Sequence, residues 1–278
     1  MLPIQLFLSF AFLVFSCKGK NFTASNDHEI HADSLPPAIN KNKPGIKTIH
    51  VFVALCDNKY QGIVPVPAGI GNGQDPKKNL YWGAGYGVKS YFNKSNEWKL
   101  AFSQKDPAKN ILERLLFKHK TKDVYLLADA YDGQFIRQTT VDFLNAAAGK
   151  IETEIKTEDK AIYFGGASDL VAYIGHDGLM DFSLQQNFER VADKKIEAII
   201  LACYSKKYFS PHLKKTGASP LVWTTGLMAP EAYTLHDAIH AWIENKSSAD
   251  IRTAAAAAYS KYQKCSLKAA KNLLIEGW

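Results

Sequence analysis

The sequence predicts an α/β fold, a mostly parallel sheet sandwiched between helices. Three observations carry that expectation. Short apolar runs recur at Ile49–Leu55, Val124–Ala130, Leu170–Ile174, Ile196–Ala202 and Pro220–Thr224, and their near-continuous hydrophobicity suits strands covered on both faces. Stretches of helical period lie between most of them, at the spacing of βα units. The composition is that of a globular chain, 46% hydrophobic and 22% charged over 278 residues, enough for one large α/β domain or two small ones.

Residues 1–16, MLPIQLFLSFAFLVFS, carry no charge and form an apolar run too short for a comfortable membrane span, as in the core of a signal peptide. Cys17 follows directly after the small Ser16, and this resembles a bacterial lipoprotein signal. The resemblance implies export to the cell envelope, lipidation of Cys17 and a membrane anchor without a transmembrane helix. Phe15 is bulky for that pattern and no Lys or Arg precedes the apolar core, so an ordinary secretory signal is the alternative. Residues 17–45, polar and containing Pro36-Pro37, read as a flexible tether; the α/β domain spans 46–278. Once Cys17 is set aside, Cys56, Cys203 and Cys265 remain, and an odd number in an exported protein leaves at least one free thiol. A Cys56–Cys265 disulfide and three free thiols are both open.

Within the domain, Ile49–Leu55 is the first strand and ends at Cys56-Asp57-Asn58. A long Gly/Pro-rich loop follows, of the length seen when loops are functional. Asn79 is placed to cap a helix through LYWGAGYGVKSYF, whose Tyr81, Trp82, Tyr86 and Tyr91 suit either a core or a stacking surface. The glycine clusters lack dinucleotide-fingerprint spacing, which excludes a nucleotide reading. Trp98–Phe102 reads as a short strand and Asp106–Lys118 as a helix with Pro107 in its first turn. After the Val124–Ala130 strand, Gln134–Ala148 is helical by period and closes near Gly149, and the charged run at 150–160 reads as a solvated excursion. Ser183–Lys194 is expected to be a helical crossover joining the Leu170–Ile174 and Ile196–Ala202 strands in parallel. Beyond the Pro220–Thr224 strand, Glu231–Glu244, Ile251–Cys265 and the C-terminal SLKAAKNLLIEGW are helices.

Two of these strands end on residues able to do chemistry. One runs out as Tyr173-Ile174-Gly175-His176, the other as Leu201-Ala202-Cys203-Tyr204-Ser205. Side chains at the carboxyl ends of neighbouring parallel strands meet on one edge of an open sheet, and a His and a Cys brought together there are a base and a nucleophile. Strand-His-Gly followed by strand-Ala-Cys resembles the caspase–haemoglobinase group of cysteine peptidases, clan CD. The likeness covers the topology of roughly 46–245 and, in residue identity, only these short motifs.

That resemblance implies a three-layer architecture and hydrolysis of a peptide or protein substrate with no cofactor. Cys203 would attack the carbonyl and form a thioester; His176 would protonate the leaving amine and then activate water; backbone amides at Cys203 and Gly178 would hold the oxyanion. Asp177 stands where the family has glycine, and Tyr204-Ser205-Lys206-Lys207 lacks the glycine usual after the cysteine. These departures fit a changed substrate, or a catalytically inactive binding lipoprotein of the same fold, which is the second reading.

Substrate-pocket candidates are Asp57, Asp129 and Asp132 at strand ends, with Asp177 and Tyr204 beside the two reactive groups. The three strand-end carboxylates suit selection of Lys or Arg, a cation, or plain helix capping. Lys206 and Lys207 are placed either to lower the Cys203 pKa or to face solvent. A third reading is a metal-dependent hydrolase using His236 and His240, spaced i, i+4 on one helix, with His212 an unanchored third ligand; the peptidase reading needs no metal. The net charge of +7 is scattered among acidic residues and no nucleic-acid-binding motif is present, so no nucleic-acid partner is expected.

Overall fold

A computed structural model describes residues 41–157, 160–191 and 194–278. The signal segment, Cys17 and the tether up to residue 40 lie outside the described residues.

The five apolar runs become the parallel centre of an eight-stranded sheet. In chain order its strands are β1 (Lys47–Ala54), β2 (Trp98–Ala108), β3 (Ile111–His119), β4 (Val124–Tyr131), β7 (Leu170–Gly175), β8 (Glu197–Leu201), β9 (Ser219–Thr224) and β10 (Leu274–Ile275), with a separate hairpin of β5 (Glu152–Lys156) and β6 (Ala161–Gly165). The spatial order is β10-β9-β8-β7-β1-β4-β3-β2. Strands β9, β8, β7, β1 and β4 run parallel, while β10 and the β3–β2 pair add antiparallel edges. The chain leaves β1 in one direction to reach β4 and returns on its other side with β7. The gap between the ends of β1 and β7 is therefore a topological switch point, where open α/β sheets bind ligands.

Period-two alternation sorts the strand residues between two cores. Ile49, Val51, Val53, Ala172, Ile174, Ile199 and Leu201 face a layer built from α1 (Val88–Lys94), α4 (Ala232–Ile243), α5 (Ser248–Gln263) and α6 (Leu267–Leu273). Phe52, Ala54, Val171, Tyr173, Ala198 and Ile200 face α2 (Ile136–Ala147) and α3 (Ser205–Thr216). The chain is thus an α/β protein with helices on both faces of a large, mostly parallel sheet. Among the described residues no helix is long and apolar enough to cross a membrane.

Four expectations are corrected. Asp106–Lys118 is not a helix but the end of β2, the turn and most of β3: Asp106 and Asn110 take φ of 45° and 63°, and β3 is hydrogen-bonded on both sides, to β2 and β4. The described part of 183–194 holds no helix. Leu184 and Phe188 are buried in the α2/α3 core, and the backbone bonds outward, from Arg190 N to Lys215 O at 3.1 Å and from Val191 N to Ala148 O at 3.0 Å. The charged run at 150–160 is part of the β5–β6 hairpin, whose Ile155, Ile162 and Phe164 cover Leu116 and Leu127.

Asn79, the fourth, does not cap the next helix, which begins after Gly87. Its buried amide instead accepts from Cys56 N (3.0 Å) and Tyr81 N (3.2 Å) and donates to Cys56 O (2.8 Å) and Asn72 O (2.9 Å). It fastens the long loop to the exit of β1. Asn79→Ala strands these buried groups and is expected to cost about 1–3 kcal/mol, read as a lower urea midpoint with an unchanged slope.

Candidate active site at the carboxyl edge of the sheet

His176 and Cys203 emerge from neighbouring parallel strands, each two residues beyond the last registered pair, Ile174 with Leu201. Gly175 gives β7 its exit: φ is 143°, and a Cβ there would fall 2.6 Å from Ala54 O on β1. His176 is 6% exposed. Its carbonyl accepts the Tyr173 hydroxyl at 2.7 Å, and its Nε2 lies 2.7 Å from Asp181 Oδ2. Asp181 was not foreseen. It returns to His176 through a single 3-10 turn, Gly178–Met180, whose N-cap is Asp177. Burial pushes the Asp181 carboxyl up, but hydrogen bonds from His176 and the Gly62 amide outweigh that and hold it below the usual range.

Cys203 sits in the turn between β8 and α3, half-buried. Tyr204, at φ 50°, caps α3 with a left-handed backbone, and its N–H donates to Gly226 O at 2.8 Å. Behind it the buried Ser205 hydroxyl donates to Ile200 O (2.9 Å) and accepts from Thr224 N (2.9 Å), tying β8 to β9. The Cys203 thiol lies 3.4 Å from Met228 N and 3.6 Å from Met228 O. Burial pushes its pKa up, the Met228 amide pulls it back, and the Asp177 carboxylate adds to the rise. Lys206 and Lys207 do not offset this, for their ammonium groups lie over the rings of Trp223 and Tyr208. His176 and Cys203 share an edge but no hydrogen bond.

The other expected site residues are mostly spent on structure. Asp57 is buried, accepting from Lys59 N and Tyr60 N through Oδ1 and from Gln74 through Oδ2. Asp132 caps the turn at Gly133–Phe135 and also takes a Gln74 bond. Asp129 lies inside β4, not at its end, with 0% exposure. Both its oxygens are taken by Arg114, so it is corrected from pocket wall to structural ion pair. Asp177 is fully buried; Oδ1 accepts from Leu179 N at 3.0 Å and Oδ2 has no partner. Gly178 is buried in the 3-10 turn, where a Cβ would fall 2.7 Å from the Phe182 ring. Tyr204 stays partly exposed at the rim.

The three described cysteines are free thiols, which closes the disulfide alternative. Cys56 is buried, with its pKa pushed to about 11 by burial, against a hydrogen bond from Tyr81. His236 and His240 both turn to Glu97, at 3.6 and 2.8 Å, and among the described residues no group of three His, Cys, Asp or Glu side chains is placed to hold a metal. Their metal role is not supported. Of the aromatic cluster, Trp82 is core, its indole donating to Glu113 at 2.6 Å, while Tyr86 remains exposed beside Tyr233 and Tyr262.

At this edge the His176 ring is held through Nε2 by Asp181 and the half-buried Cys203 thiol by the Met228 backbone. The loops that follow the parallel strands carry exposed Tyr60, Val64, Met180, Tyr204 and Leu227. No family model, no curated protein and no solved structure matches the chain.

Proposed function

We propose that the chain is a cysteine peptidase of caspase–haemoglobinase-like architecture, anchored in the cell envelope through Cys17. One observation carries the reading: His176 and Cys203 leave adjacent parallel strands beside the switch point, the ring held through Nε2 by Asp181 and the thiol by the Met228 backbone. Cys203 Sγ gives its proton to His176 and attacks the peptide carbonyl. The tetrahedral oxyanion collapses to a thioester as His176 hands the proton to the leaving amine, and water activated by His176 then frees the acid. The Cys203 amide supplies one oxyanion donor.

Of the carboxylates expected to select a basic side chain, Asp57, Asp129 and Asp177 are buried and Asp132 is engaged by Gln74, while the loops of this edge expose large apolar side chains. The substrate residue at the scissile bond is therefore an uncharged, apolar one. A fluorogenic peptide panel and an electrophilic peptide probe test both parts. Wild type is expected to cleave after Leu or Phe in preference to Lys or Arg and to take the probe; Cys203→Ala is expected to lose both activities. Equal labelling of the two proteins would remove Cys203 as nucleophile. A second reading, an inert binding protein of the same fold, draws on the raised Cys203 pKa; it requires wild type to be as unreactive as the variant.

A further inference from the structure

The peptidase reading assigns His176 the proton transfers but leaves open what fixes its tautomer and its aim. The answer lies in three pieces of chain that converge on one oxygen. Asp181 Oδ2 is 2.7 Å from His176 Nε2 and accepts the Gly62 N–H at 3.0 Å. Gly62 belongs to the loop leaving β1, and that loop is bolted to the sheet edge by its neighbour. Gln61 donates to Leu55 O (2.7 Å) and Gly133 O (3.0 Å) and accepts from Asp57 N (3.1 Å). A side chain at residue 62 would have to displace the carboxylate, because a Cβ would fall 2.3 Å from Asp181 Oδ1. From the other direction, Asp181 N donates to Gly178 O at 2.9 Å, so the turn after His176 delivers the carboxylate to the ring.

Building on that reading, we propose that Asp181 is the positioning carboxylate of the His176 base, clamped by the Gly62 amide. The carboxylate accepts only, so the neutral imidazole carries its proton on Nε2 and presents the Nδ1 lone pair to the thiol and to water. When Nδ1 takes the Cys203 proton, the adjacent carboxylate stabilises the imidazolium. No proton passes to Asp181, whose hydrogen bonds from His176 and Gly62 keep it ionised.

The test uses the full chain labelled with ¹⁵N-histidine, the His176 signals being identified from a His176→Gln spectrum. In wild type the neutral His176 ring is expected to show Nε2 protonated and Nδ1 free. In Asp181→Asn the ring is expected to lose that preference, with Nδ1 protonated in part of the neutral population. Hydrolysis of the preferred peptide is expected to lose about 10²-fold or more in kcat with a smaller change in KM. Gly62→Ala, which keeps the carboxylate but displaces it, is expected to disturb the tautomer in the same direction.

An unchanged His176 tautomer in a folded Asp181→Asn protein overturns the proposal. So does Nδ1-protonated His176 in wild type. A wild type that cleaves no peptide, yet whose His176 tautomer changes with Asp181→Asn, removes the peptidase reading and leaves Asp181 as the group that orients this histidine.

Discussion

Replacing Arg114 by methionine is expected to lower folding stability by about 3–5 kcal/mol, the usual cost of leaving one member of a buried ion pair behind. Asp129 on β4 has no contact with water. Its Oδ1 receives Arg114 Nε at 2.6 Å and its Oδ2 receives Arg114 Nη2 at 2.7 Å from β3, while His50 Nε2 on β1 lies 3.1 Å from Oδ2. Burial pushes the Asp129 carboxyl up, yet hydrogen bonds from Arg114 and His50 more than offset it and hold it below the usual range. His50 is itself pushed down by burial, so near neutral pH it supplies an N–H and no charge, and Arg114 alone balances the carboxylate. Methionine fills much of the arginine stem but leaves the anion uncompensated. Urea unfolding is expected to show the midpoint falling with the slope unchanged. The double variant Arg114→Met/Asp129→Leu is expected to recover most of the loss, because removing both partners of a buried pair is far cheaper than removing one. A loss below about 1 kcal/mol in the single variant would mean that Asp129 takes up a proton at little cost, and the ion pair would then count for little in joining β3 to β4.

The same residues show what the sequence made legible. The apolar runs of β1, β4, β7, β8 and β9 announced themselves because a strand covered on both faces needs little else. Asp129 looked like a strand-end pocket residue, but β4 continues past it through Ala130 and Tyr131, and its partner Arg114 lay in a segment whose i, i+3/i+4 leucines suggested a helix. Tertiary pairing with β2 and β4 overrode that local period. The helix α3 was not expected at all: four lysines and Pro211 mask the buried set of Phe209 and Leu213. His176 and Cys203 were readable as strand-end chemistry. Asp181 was not, since a 3-10 turn brings residue i+5 back to the histidine and no period signals such a turn. A second aspartate after Gly-His-Asp-Gly was the only hint, and the first aspartate drew attention instead.

That first aspartate, Asp177, is expected to make the folded state less stable as pH rises. Its carboxyl is fully buried beside the reactive edge. Burial pushes its pKa up to about 7, against the pull of the Leu179 amide and with a further push from Asp181. In the unfolded chain an aspartate ionises near about 3.9. The folded protein therefore holds this proton more tightly than the unfolded chain, and the linkage slope is negative between the two values. Stability from this group is complete below about pH 4, declines through the interval and levels off above about pH 7. A difference of about three pH units, at about 1.4 kcal/mol each, sets the total loss on the order of 4 kcal/mol. Asp142, raised to about 6 by burial, slopes the same way, so the informative quantity is wild type minus Asp177→Asn across pH 4–8. The asparagine keeps an acceptor for the Leu179 N–H and cannot ionise, so its stability is expected to fall less steeply with pH than that of wild type. Parallel curves for the two proteins would show that the Asp177 carboxyl is ionised at low pH in the folded state. Its unpartnered oxygen would then require a donor, such as water entering beside Cys203, and the edge that carries the proposed chemistry would be wetter than its packing indicates.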